Sequence, residues 1–143
     1  MRKEIEPRPV PRPDKTRFTV RARAQSFVYA FRGIWALLRR EHNAWIHLVA
    51  ALGAVAGGAW WRISRLEWCA ILGCIGIVLA AEAFNTAVES LADAVRPEHD
   101  PLVGKAKDLA AAGVLLTSLA AAAVGLLVFG PHLLATLEQW RAR

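Results

Sequence analysis

Long apolar runs alternate with short polar breaks along the 143 residues of the chain. Ala44 to Trp61 is apolar almost throughout and is broken only by His47. Leu66 to Ala81 is a second run, entered through the short Arg62-Ile63-Ser64-Arg65 turn. Leu109 to Phe129 is a third, with Thr117 and Ser118 as mild polar interruptions. The first and third are long enough to cross a hydrocarbon core about 30 Å thick. The second reaches that length when its helix continues through Glu82 to Val95, a stretch with no Pro or Gly to end it. Trp60, Trp61 and Trp68 cluster where the first two spans would meet the outer interface.

The segment ahead of these runs has a different rhythm. Between Phe18 and Arg40, the residues Phe27, Phe31, Ile34 and Leu38 recur at helical spacing, while Gln25, Arg32 and Arg39 mark another face. An aromatic apolar stripe beside arginines suits a helix lying in the plane of the membrane interface. The expected fold class is an all-α membrane protein: three transmembrane helices plus an N-terminal amphipathic surface helix. The expected divisions are a disordered basic, Pro-rich tail over 1–17, the surface helix over 18–40, the spanning domain over 41–135 and a C-terminal tail over 136–143. The first 17 residues lack the apolar core of a secretory signal peptide.

Composition agrees with this division and orients it. Hydrophobic residues make up 55% of the chain and the mean hydropathy is +0.31, high for a soluble protein. Of 18 Lys and Arg residues, 11 fall in the first 40 positions. A basic end joined to apolar spans suits an anionic membrane surface better than nucleic acid, so no nucleic-acid partner is expected. An inside N-terminus puts 14 basic residues on the cytoplasmic side and four on the other, the sense of the positive-inside rule. The expected location is the bacterial inner membrane, multi-pass, with the N-terminus cytoplasmic. Cys69 and Cys74 are separated by about 7.5 Å of helical rise, too far for a disulfide, and read as packing residues.

Candidate chemistry concentrates in Glu82-Ala83-Phe84-Asn85-Thr86-Ala87-Val88-Glu89-Ser90-Leu91-Ala92-Asp93. At about 100° per residue, Glu89 and Asp93 each fall about 20° from the direction of Glu82, and Asn85 about 60°. One stripe of the second span therefore carries all four. Glu82 lies about 24 Å along that helix from Leu66, in the cytoplasmic half of the bilayer or at its inner edge. A carboxylate there costs a few kcal/mol unless it meets partners or water, which marks it as functional by default. Glu41 and Asn43 at the start of the first span, and Lys107 and Asp108 at the start of the third, reach the same face. Carboxylates, a carboxamide and a lysine together suit Mg²⁺ holding phosphate oxygens, because a hard cation takes oxygen ligands. Lys107 would balance phosphate charge, and one carboxylate would take a proton from an attacking hydroxyl. His47, one turn inside the first span, reads as a packing histidine or a site residue. No Gly-rich phosphate loop is present, so side chains must hold any nucleotide.

The segment Glu82 to Glu89, followed by Gly104-Lys105-Ala106-Lys107-Asp108, resembles the prokaryotic diacylglycerol kinase and undecaprenol kinase family. That family carries a Glu-x-x-Asn-(Ser/Thr)-Ala-x-Glu stretch and a later Ala-Lys-Asp, and the resemblance extends over roughly Gln25 to Phe129. It implies a small homotrimeric lipid kinase that passes the γ-phosphoryl group of ATP to a membrane lipid alcohol. By position, Glu82 resembles the general base, and Glu41 with Glu89 the Mg²⁺ ligands. Asn85, Asp93, Lys107 and Asp108 match residues around the phosphates and nucleotide, as do Tyr29 and Arg23 on the surface helix and Glu98, His99 and Asp100 in the loop. Asn43, His47 and Glu82 are the expected lipid contacts. Two departures stand out: Glu98-His99-Asp100 replaces the more usual Glu-Tyr-His, and Trp45 stands where relatives often carry Arg. The segments Glu41 to Leu48 and Ser64 to Trp68 resemble the undecaprenol branch more than the diacylglycerol branch.

An ion-coupled transporter built on an intramembrane Glu is the main rival. It requires polar groups distributed toward both faces, and the outer halves of the three runs are read as free of ionisable residues. A structural membrane subunit gives no reason for the Glu-Asn-Glu-Asp stripe.

Overall fold

The computed structural model of the chain describes residues 19–95 and 100–142. Within them lie four helices: α1 (Val20–Arg40), α2 (His42–Trp61), α3 (Arg65–Val95) and α4 (Pro101–Arg141). The chain divides into two units, residues 1–33 and residues 34–143. The described part of the first is helical from Val20, with the Arg32 guanidinium over the Tyr29 ring at 5.9 Å. The second unit carries the three spans.

Local sequence explains where the spans begin and end. Glu41, extended at φ −108° and ψ 116°, separates α1 from α2. At its far end α2 stops on Arg62, which adopts the left-handed conformation (φ 52°, ψ 49°). The N–H groups of Arg62 and Ile63 both return to the Gly58 carbonyl, closing the helix. Ser64 and Glu67 then open α3 by reciprocal capping: the Ser64 N–H donates to Glu67 Oε2 at 2.6 Å, and the Glu67 N–H to Ser64 Oγ at 3.3 Å. Asp100 opens α4, its Oδ1 accepting from the N–H groups of Leu102 (2.9 Å) and Val103 (3.4 Å), with Pro101 at the first helical position.

All three of α2, α3 and α4 are long and apolar enough to cross a membrane. At 20, 31 and 41 residues they extend about 30, 46 and 62 Å, so the second and third outreach a hydrocarbon core. In the most apolar 18-residue stretch of each span only 11 to 22% of residues are buried within the chain, which leaves large apolar faces suited to lipid or to other copies. α3 and α4 form the main packing pair, with α2 laid chiefly against α3. The small core gathers at the Arg62 turn: Ile63, Ile71 and Val128, packed by Trp61, Trp68 and Phe129. Gly58 sits beneath it, where an added Cβ would come within 3.0 Å of Ile63 and of the Trp68 ring.

That end also holds a polar cluster. The Trp61 indole stacks on His132, with centroids 6.3 Å apart, and donates to Thr136 Oγ1 at 3.1 Å. His132 Nε2 lies 3.5 Å from Glu67 Oε1. These contacts correct the expectation that the outer halves of the spans lack ionisable groups. The pair is about one-third exposed at the tip of the bundle, not deep in a span, so it supplies no second half of a transport path. They also carry α4 through Gly130-Pro131 to Arg141, past the point where a tail over 136–143 was expected.

Candidate functional site

The site end of the bundle lies opposite this core. Glu82 and Asn85 are the buried polar side chains among the described residues, at 1% and 7% exposure, and Glu82 is the largest fully buried side chain of all. Helical periodicity puts Glu82, Asn85 and Glu89 on one stripe of α3, as the spacing predicts. Asn85 Nδ2 donates to Glu89 Oε1 at 3.0 Å across one turn. The bond fixes the amide and leaves its Oδ1 facing inward. Thr86 secures the same turn by donating to the Glu82 carbonyl at 3.1 Å. Neither Glu82 Oε2 nor Asn85 Oδ1 has a hydrogen-bond partner among the described residues, although both are buried. Buried acceptors left without a partner cost on the order of 1–3 kcal/mol each, more for a charged group, and a chain keeps them where a ligand or proton is to be met.

Two other helices bring ionisable groups to this stripe. The groups whose fields reach Glu82 are His47 and Glu41 from the first half of α2 and its cap, and Glu89 from α3 itself. At the rim, Lys107 Nζ on α4 pairs with Asp93 Oδ1 on α3 at 2.9 Å, tying the two helices together where both side chains meet solvent. Asn43 and Asp108 are exposed at the same end. Asp100 is at the start of α4, with its carboxylate engaged in the helix cap. The Trp45 indole folds back to donate to the Leu38 carbonyl at 2.8 Å. Tyr29 and Arg23 belong to the first unit, and Glu98 and His99 lie outside the described residues.

Among the described residues, no three of His, Cys, Asp and Glu converge on a point that could hold a metal ion alone. Glu41 caps α2, Glu89 lies on α3, and the Asn85 Oδ1 is buried without a partner among the described residues. Cys69 and Cys74 are free thiols, in keeping with their spacing. Sequence reasoning missed the buried, unpartnered Ser118 Oγ on α4. Its signal was the Thr117-Ser118 pair of hydroxyls in the middle of the third apolar run, taken there as a mild interruption.

The arrangement suits phosphoryl transfer: a buried carboxylate to accept a proton, oxygen ligands for a cation and a lysine at the rim. A family model described as prokaryotic diacylglycerol kinase matches residues 28–129. The chain is 38% identical to the undecaprenol kinase of Bacillus subtilis (strain 168) over 109 residues, covering 76% of this chain and 89% of that one. It is 26% identical to the diacylglycerol kinase of Escherichia coli (strain K12) over 104 residues, covering 73% and 85%.

Proposed function

The chain belongs to the prokaryotic diacylglycerol kinase family and is a membrane lipid kinase, and from that premise we propose that its lipid acceptor is undecaprenol. The greater identity to an undecaprenol kinase than to a diacylglycerol kinase supports this choice. One observation carries the catalytic assignment: Glu82 is buried to 1% exposure with a carboxylate oxygen that meets no hydrogen-bond donor.

In the proposed reaction Glu82 takes the proton of the acceptor hydroxyl as its oxygen attacks the γ-phosphorus of ATP. The bond between γ-phosphorus and the β,γ-bridging oxygen breaks, ADP leaves, and the lipid monophosphate remains in the bilayer. Glu41 and Glu89 are the proposed ligands of Mg²⁺, which neutralises charge along the triphosphate. Asn85 holds Glu89 in place and turns its own Oδ1 to the same space. Lys107 is proposed to exchange Asp93 for phosphate oxygens, since an exposed ion pair gives up its partner at little cost. Asp93, Asp108, Tyr29, Arg23, Glu98, His99 and Asp100 are the further proposed nucleotide contacts.

The site end of the bundle is proposed to face the cytoplasm, where ATP is found, because that orientation puts 14 of 18 basic residues inside. The membrane would then be the bacterial inner membrane. A homotrimer is proposed as the working form. Its support is the large unburied apolar area of the three spans, which other copies would cover.

The test compares undecaprenol and diacylglycerol side by side as acceptors for the purified protein, with ATP and Mg²⁺ in mixed micelles. Undecaprenol should be phosphorylated faster. Glu82→Gln and Glu89→Gln should lose turnover while the oligomer persists. Undiminished activity in both variants would sink the assignment, and preference for diacylglycerol would replace the acceptor.

A further inference from the structure

A single residue joins α1 to α2. Arg40 ends the first helix, His42 begins the second, and Glu41 between them is extended at φ −108° and ψ 116°. One pair of backbone dihedrals therefore sets both the direction in which α2 leaves the last turn of α1 and the direction of the Glu41 side chain. Two hydrogen bonds span this joint. The Glu41 N–H donates to the Leu37 carbonyl at 3.0 Å. Trp45, in the first turns of α2, folds its indole back and donates from Nε1 to the Leu38 carbonyl at 2.8 Å. In an unbroken helix the Leu38 carbonyl would accept from the N–H of residue 42. The break at Glu41 removes that donor, and the indole takes its place. Leu37 and Ala44, on either side of the joint, are buried at 8% and 0% exposure.

The Glu41 carboxylate is not held by its own helix. It stands at the cap position of α2, where an acidic side chain ordinarily accepts from N–H groups of the first turn, yet it makes no such bond. Asp100, at the matching position of α4, does make it. The charge of Glu41 is felt instead at Glu82 on α3.

We propose that Trp45 is the positioning residue for Glu41: its bond across the joint fixes the backbone angle that turns the Glu41 carboxylate toward the Glu82 stripe. The inference rests on the reading of Glu41 as a site carboxylate and deepens it. Backbone dihedrals scatter by about 15–20° within ordinary elements. A working site tolerates about 10–20°, or about 0.5 Å, of misplacement. A one-residue joint without a brace would use up that whole tolerance at Glu41. Satisfying the Leu38 carbonyl does not by itself require the indole, because Trp45 is 53% exposed and water could serve as donor there. Water cannot tie the two helices together, whereas the indole belongs to α2 and its acceptor to α1. A ring acting only as an interfacial anchor would have no need of this acceptor, and phenylalanine would keep much of that anchoring.

The experiment uses the full chain in mixed micelles and reads binding as well as turnover. Trp45→Phe keeps a ring and removes the donor. Its affinity for a non-hydrolysable ATP analogue with Mg²⁺, measured by calorimetry, should fall about fivefold, and the Mg²⁺ concentration for half-maximal turnover should rise by a similar factor. The KM for the lipid acceptor and the thermal midpoint should stay at their wild-type values. Trp45→His, which restores a ring N–H, should recover part of the loss. In a Glu41→Gln background Trp45→Phe should bring no further fall in affinity, because the group it positions is already disabled. Losses that multiply in the double variant overturn the inference, as does a Trp45→Phe protein with unchanged Mg²⁺ dependence, whatever its thermal midpoint. A Glu41→Gln protein that binds the analogue as the wild type does overturns the reading of Glu41 beneath it instead.

Discussion

Asn85 and Glu89 are joined side chain to side chain, Nδ2 to Oε1 at 3.0 Å, on adjacent turns of α3. The bond orients a carboxylate at the edge of the buried stripe and leaves its second oxygen for another partner. It also explains why a carboxamide, and not a third carboxylate, stands between Glu82 and Glu89.

Removing the amide should release Glu89 into several rotamers. Asn85→Ala is expected to lower kcat/KM for ATP at least tenfold, since a hydrogen bond to a charged group contributes about 1.5–3 kcal/mol. Asn85→Asp should be worse, because it sets a like charge beside Glu89. Steady-state kinetics at saturating lipid, with Mg²⁺ varied, would check both. The Asp variant should require the higher Mg²⁺ concentration.

The Lys107–Asp93 pair offers a contrast. Both side chains reach solvent, so the pair should contribute little to stability. Asp93→Asn is expected to leave the thermal midpoint in detergent nearly unchanged. Lys107→Ala should raise the KM for ATP about tenfold, in the Asp93→Asn background as well as in the wild type. If the effect vanished in that background, Lys107 would be acting on Asp93 alone.

At the other end, Gly58 is the most crowded of the described glycines. A Cβ there meets the Ile63 and Trp68 side chains at 3.0 Å, whereas at Gly57 the nearest atom is the Trp61 ring at 3.4 Å. Gly58→Ala should destabilise by about 1–3 kcal/mol through overpacking. Gly57→Ala should be close to neutral. Thermal unfolding followed by circular dichroism in one detergent would separate the two.

The last turns of α4 depend on one indole. Thr136→Val removes the acceptor for Trp61 Nε1 while keeping the side-chain shape, and should cost about 1 kcal/mol. The loss should appear as faster amide exchange over 132–142, with little change in the first half of α4.

These elements differ in how openly the sequence announces them. α2 and α3 were legible because apolar content is a local property, as is the absence of Pro and Gly from Glu82 to Val95 that lets α3 run on. The Glu82-Asn85-Glu89 stripe was legible for the same reason, since helical periodicity alone brings it together. The end of α4 was not. Gly130-Pro131 reads as a stop, and a proline in a helix interior costs about 3 kcal/mol. The helix continues because Trp61, 75 positions away from Thr136, catches it on the far side, and no local pattern encodes that contact. The capping box of Ser64 and Glu67 was written in the sequence, and it went unread because Glu67 sat inside an apolar run. Asp100 looked like a loop acid near a nucleotide, while the structure engages its carboxylate in starting α4. Lys107 and Asp93 converge through tertiary packing, so their pairing follows from the crossing of α3 and α4 and not from either segment alone.

The largest fully buried side chain among the described residues is an acid, and this sets the enzyme's working condition against its endurance. A hydrocarbon at position 82 would suit that enclosure better than a carboxylate with an unanswered oxygen. Glu82→Leu should therefore give a catalytically dead protein that melts several degrees above the active one, measurable side by side in the same detergent. The margin by which the inert variant outlasts the active enzyme would measure what the chemistry demands of the fold.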